Sequence, residues 1–154
     1  MRATEISIGR RFAVAFDHGE EFFEALDAFC RESGVRAGSI TFIGGFSRAR
    51  LVGTCGPLKS PERPLWEEIE VETLEVLGSG TLAWDAENDR VAPHIHVSAG
   101  LKADSADGRT SHLLGATVQF VTELAIEEWA SPVVTRKRIP DLYDVPLLTF
   151  EQEG

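Results

Sequence analysis

Three of the four histidines in this 154-residue chain fall late and close together: His94, His96 and His112. His94 and His96 flank Ile95 in a short apolar run, and a spacing of two on a strand sends both imidazoles to one face. His112 follows a polar stretch and opens the next apolar run, so a hairpin-like return brings it beside the first two. Three neutral imidazoles aimed at one point suit zinc or another borderline divalent metal. Three protein ligands leave at least one coordination position open, the pattern of catalytic rather than closed structural zinc. A metal held that way lowers the pKa of a bound water and polarises a carbonyl. Spacing alone leaves a plainer reading open, because two histidines on one strand face are also ordinary polar surface. His18, in Asp17-His18-Gly19, reads as a surface turn residue.

Chemistry at such a centre also needs a group that moves a proton. Glu123, on the long strand-like segment after His112, is the candidate, with an outward-facing strand carboxylate as the plain alternative. Arg48, just past Gly44-Gly45, is a candidate anchor for a substrate carboxylate. Cys30 and Cys55 form no CxxC pair; Cys30 falls on the apolar side of a predicted helix and reads as a buried thiol.

Composition narrows the partners. Lys and Arg total 15 against 25 Asp and Glu, for a net charge of −10. Such a chain repels phosphate backbones, which argues against sequence-independent nucleic-acid binding. Residues 61–130 carry 4 basic and 14 acidic side chains, so the acid excess sits in the segment that holds the three histidines. The dense basic run, Arg136-Lys137-Arg138, reads as a solvated tail. No apolar run reaches the roughly 18–20 residues of a membrane span, and Met1 to Arg10 has no signal-like apolar region. The expectation is a cytoplasmic protein with no membrane partner.

The elements that must position these groups are mostly strands. Phe12, Val14 and Phe16 alternate with Arg11, Ala13 and Ala15. Asp17 and Glu20 have capping-box spacing, and Phe22, Leu26, Phe29 and Cys30 recur at helical spacing up to Gly34, which predicts a helix over about residues 19–33. Ser39 to Ile43 and Phe46 to Val52 read as extended, and Gly53 to Pro64 as a loop. Trp66 to Leu77 is a strand whose apolar phase shifts near Thr73, predicting a bulge there. Thr81 to Trp84 and His94 to Ser98 are further strands, with a polar turn over Asp85 to Asp89 and a polar loop over Leu101 to Thr110. Leu113 to Trp129 is mostly strand, with Val118, Phe120, Leu124 and Ile126 on one parity. One helix among many strands predicts a single compact α+β domain with a mostly antiparallel sheet. The segment 131–154 has no clear period, and its apolar residues predict a tail that packs on the domain or on a neighbouring subunit.

Taken in order, several segments resemble the PPC domain, the domain shared by plants and prokaryotes. They are Gly9-Arg10-Arg11-Phe12, the stretch Gly34 to Gly45, Leu74 to Gly80, His94-Ile95-His96-Val97-Ser98, Ser111-His112-Leu113 and Thr122-Glu123. The resemblance covers about residues 8–130. The chain departs from the family pattern at Thr110-Ser111, where many members have glycine before the third histidine. The resemblance implies a homotrimer in which the three histidines hold zinc, and a fold similar to that of acetolactate decarboxylase. It also raises a DNA-associated role. The R-G-R-P segment with which plant members enter the minor groove does not occur in this sequence. The resemblance and the residues together point to a metal-binding protein that acts on or senses a small carbonyl or carboxylate metabolite; a non-catalytic oligomerisation module and a DNA-associated regulator are the alternatives.

Overall fold

A computed structural model describes residues 1–55, 66–101, 108–142 and 144–150. Most of the loop expected over Gly53 to Pro64, and residues 102–107 of the loop expected before His112, lie outside them. The chain runs β1 (Ser7–Asp17), α1 (Phe22–Ser33), β2 (Gly38–Cys55), β3 (Trp66–Asp85), β4 (Arg90–Leu101), β5 (Gly108–Ser131), β6 (Val134–Ile139) and β7 (Val145–Phe150), with a 3₁₀ turn at Pro140–Leu142. Among the described residues one helix stands against seven strands, and every strand pairing is antiparallel except the contact of β6 with β3 at Trp84 and Thr135.

The sheet order is β1-β5-β2-β3-β6-β7, and β4 pairs with both β3 and β5. The four strands β2, β3, β4 and β5 therefore close into a ring. Its inner face carries Ile40, Phe42, Leu82, Ile95, Val97, Leu124 and Ile126, each at most 4% exposed. Helix α1 lays Phe22, Leu26 and Cys30 against that core. The Phe22 ring stands 4.9 Å from Phe42, 5.5 Å from Phe16 and 5.6 Å from Phe46, so one side chain joins the helix to β1 and β2. Gly34 ends the helix in the left-handed conformation, and its N–H donates to the Arg31 carbonyl. Burial drives the Cys30 thiol up to about 12, which keeps it protonated and inert.

The capping signal acts one step before the helix. The Glu20 carboxylate accepts the Asp17 N–H at 2.6 Å, but it closes the turn that precedes α1, and Glu21 occupies the cap position without a side-chain bond. The separate strands expected on either side of Gly44-Gly45 and of Gly78-Ser79-Gly80 are continuous strands of 18 and 20 residues. Glycine is used there for close approach: a Cβ on Gly78 would overlap the Phe42 ring. The phase change at Thr73 is present, with φ 55, yet β2 and β3 keep their register because β2 changes phase opposite it. Phe120 is the clear exception to the apolar pattern. It and Val121 bulge out of β5 opposite Gly44-Gly45, leaving Phe120 72% exposed.

After Ser131 the described residues form a β6–β7 hairpin, with Val134 paired to Phe150 and Ile139 to Val145. Val134, Thr135 and Arg136 are buried, so the first residue of the basic run turns inward instead of lying in solvent.

Candidate metal centre

The ring closure places the histidines. Against β3, His94 pairs with Thr81 and His96 with Ser79; against β5, His96 pairs directly with His112. Ile95 and Val97, between and beyond them, are buried in the core, so both β4 imidazoles face outward by strand alternation. Gly80 lets β4 come this close: a Cβ there would overlap the His94 carbonyl oxygen. On the other side, the Ser111 hydroxyl donates to the Val52 carbonyl and ties the start of β5 to β2. The serine that departs from the family pattern thus has a structural task next to the third histidine.

One ring nitrogen from each histidine lies within 4.8 Å of the others. The ring centroids are 5.0–5.4 Å apart, and the Nε2 atoms of His94 and His96 are 3.3 Å apart. Two nitrogens at about 2.0–2.1 Å from a tetrahedral zinc stand roughly 3.3 Å apart, so this edge already has the ligand spacing. Burial, followed by the neighbouring rings and the Arg136 charge, pushes His112 down to about 4. Burial, then Arg136, then His96 lower His94 as well. Both rings are neutral near pH 7, the state in which imidazole binds a metal.

The other sequence candidates stand elsewhere. Glu123 is exposed and pairs with Ala15 on β1 and Ile43 on β2. From Ile43 the row runs through Leu77 to Ser98, two residues past His96. Glu123 therefore faces outward like the histidines, but its row reaches β4 at Ser98 and not at His94 or His96. Arg48 faces Glu70 at 3.6 Å on another part of the sheet. His18 lies in the turn after β1, and its Nδ1 accepts the Phe120 N–H at 3.1 Å.

Sequence reading missed Arg136. Its Nε donates to the Ala92 carbonyl at 2.9 Å, and its Nη2 to Thr81 Oγ1 at 2.8 Å and to the Thr81 carbonyl at 3.4 Å. Arg136 is thus bound to the strand partner of His94 and to the residue two before it. A cavity of about 420 Å³ opens beside His112, lined also by Ala92, Pro93 and the acidic residues Glu24, Asp27 and Asp85.

No curated protein matches this chain. Solved structures do. A protein from Bacteroides thetaiotaomicron, proposed to bind DNA, is 26% identical over 96% of this chain and 99% of its own, with a TM-score of 0.76. A metal-containing protein from Archaeoglobus fulgidus is 23% identical over 96% and 99%, with a TM-score of 0.79. Acetolactate decarboxylase from Bacillus subtilis shares the fold more distantly, at 10% identity over 86% of this chain and 58% of its own, with a TM-score of 0.52. The family model of the Plants and Prokaryotes Conserved (PCC) domain matches residues 3–130, and the chain belongs to that family.

Proposed function

We propose that this protein is a homotrimeric metal protein whose three-histidine centre, formed by His94, His96 and His112, holds zinc and binds a small carbonyl or carboxylate ligand. The observation that carries the reading is the convergence of three imidazole nitrogens within 4.8 Å, two of them already at a ligand edge of 3.3 Å. The chemistry of the donor set fits zinc, which accepts three imidazoles and leaves one position for ligand. The metal, when bound, would polarise a ligand oxygen or lower the pKa of a bound water. His94 and His96 are fixed by the β3–β4 pairing, and His112 by its pairing with His96, so the three rings need little rearrangement to bind.

Self-association is supported by the outer face. Ala13, Ala15, Thr41, Ile43, Leu77, Ser79 and Ala125 are all exposed there, and Ile43 and Leu77 pair side by side at 54% and 62% exposure. Such a face of small and apolar side chains is suited to burial against another copy. Glu123 lies within it, so a proton-moving role for Glu123 would serve the centre of a neighbouring copy.

A DNA-associated role would come to this chain from the Bacteroides protein. The basic run gives it little support: Arg136 is turned into the protein and Arg138 faces Glu87 at 3.6 Å. The test combines zinc titration with light scattering. One zinc per chain and a trimer that Leu77→Asp dissociates are expected; absence of zinc uptake near pH 7.5 would refute the metal reading. Retention on a DNA column at low salt would favour the regulator instead.

A further inference from the structure

Arg136 is 7% exposed, yet each of its hydrogen bonds goes to a neutral acceptor: the Ala92 carbonyl, the Thr81 carbonyl and Thr81 Oγ1. Among the described residues no carboxylate pairs with it, and its Nη1 makes no hydrogen bond. Asp85, the buried carboxylate of the described residues, is already engaged by the Asn88 side chain and by the N–H groups of Glu87 and Asn88. Burying a guanidinium without a counter-charge is costly, and proteins seldom leave one so unless something else supplies the anion.

The location gives this imbalance a use. Thr81 stands directly across from His94, and Ala92 lies two residues before it. A divalent ion on three neutral rings beside Arg136 makes a concentrated positive centre in a chain of net charge −10. We infer that Arg136 anchors the anionic end of the centre's ligand, which is a small carboxylate or like oxyanion held between the three-histidine metal and the guanidinium. This inference rests on the metal reading above and narrows its ligand to anions. It also moves the anchor role from Arg48, which Glu70 already neutralises, to Arg136.

The test uses the full chain loaded with Co²⁺, whose visible spectrum reports ligands on the metal. Acetate and its neutral isostere acetamide are the probes. Metal uptake is measured first, so the two readings fail separately. With Co²⁺ bound, acetate should give a saturable spectral change and acetamide none. Arg136→Met should weaken acetate binding about tenfold or more while keeping the Co²⁺ content, and Arg136→Lys should fall between the two. Equal binding of acetate and acetamide, or wild-type acetate affinity in Arg136→Met, overturns the inference. If Arg136→Met does not fold, Arg136→Lys and the acetate–acetamide pair decide. If no Co²⁺ is taken up, the metal reading is wrong, and thermal stabilisation of the metal-free chain by acetate over acetamide decides for Arg136, its absence against.

Discussion

Two regions of this sheet carry arginines and treat their charge in opposite ways. Toward the far end of β2, Arg48 faces Glu70 and Arg50 faces Glu68 at 3.1 Å, around a cleft of about 200 Å³. Each cation there has its acid on the neighbouring strand. At the histidine end Arg136 is buried, and no acid answers it among the described residues. Exposed pairs such as Arg50–Glu68 contribute about 0–1 kcal/mol and leave nothing for a ligand to satisfy. The histidine end combines three converging imidazoles with a positive charge that no carboxylate of the described residues answers. That contrast, more than the size of either cavity, separates a self-satisfied surface from the site proposed to take a ligand.

The largest expected effect comes from removing a ligand nitrogen. His96→Ala should lower zinc affinity by more than the roughly 10–100-fold that loss of an outer-shell partner costs, as read by competition with a chelating dye. Unchanged affinity would dissolve the contrast. Next is Gly80→Ala, which forces a methyl against the His94 carbonyl. It should cost about 1–3 kcal/mol in urea unfolding and also weaken zinc binding, because β4 must move away from β3. Stability lost with metal affinity intact would mean that the strand spacing does not position the histidines.

A smaller effect tests an acid that is paired within the chain. Glu128 is held at about 2, chiefly by its hydrogen bonds from Arg10, which also reaches the Ser33 carbonyl at 2.9 Å. Its folded pKa lies below the unfolded value, so its stabilising contribution is present above about pH 4.5 and is lost as pH falls toward 2. The melting temperature of Glu128→Gln should therefore lie below wild type at pH 7, and the gap should shrink through pH 4 and 3 and close only near pH 2. A difference of the same size at pH 2 as at pH 7 would show that the loss is packing and not charge. The smallest effect belongs to Arg50→Gln: about 1 kcal/mol or less in stability, with zinc and acetate binding unchanged.

Much of this was legible in the sequence because it is local. The Phe22-Leu26-Cys30 stripe, the Gly34 stop and the outward pair His94 and His96 follow from periodicity within a few residues. The approach of His112 needed only the expectation of a return strand. What sequence could not give depends on partners chosen at long range. Arg-Lys-Arg looks solvated until β3 and β4 present Thr81 and Ala92 to its first residue. Phe120 fits the apolar parity of β5, but the approach of β2 at Gly44-Gly45 loops it out. Glu123 sits on the expected strand, yet its distance from the histidines is set by the order of β5, β2, β3 and β4 in the ring.

The central claim is that His94, His96 and His112 hold one metal together. X-ray absorption at the zinc edge of the zinc-loaded protein tests it most directly, because imidazole rings leave their own outer-shell scattering. The account predicts three imidazole nitrogens at about 2.0–2.1 Å with one lighter oxygen ligand, falling to two imidazoles in His112→Ala. Two or fewer imidazoles in the unmodified chain, or sulfur among the ligands, would contradict it.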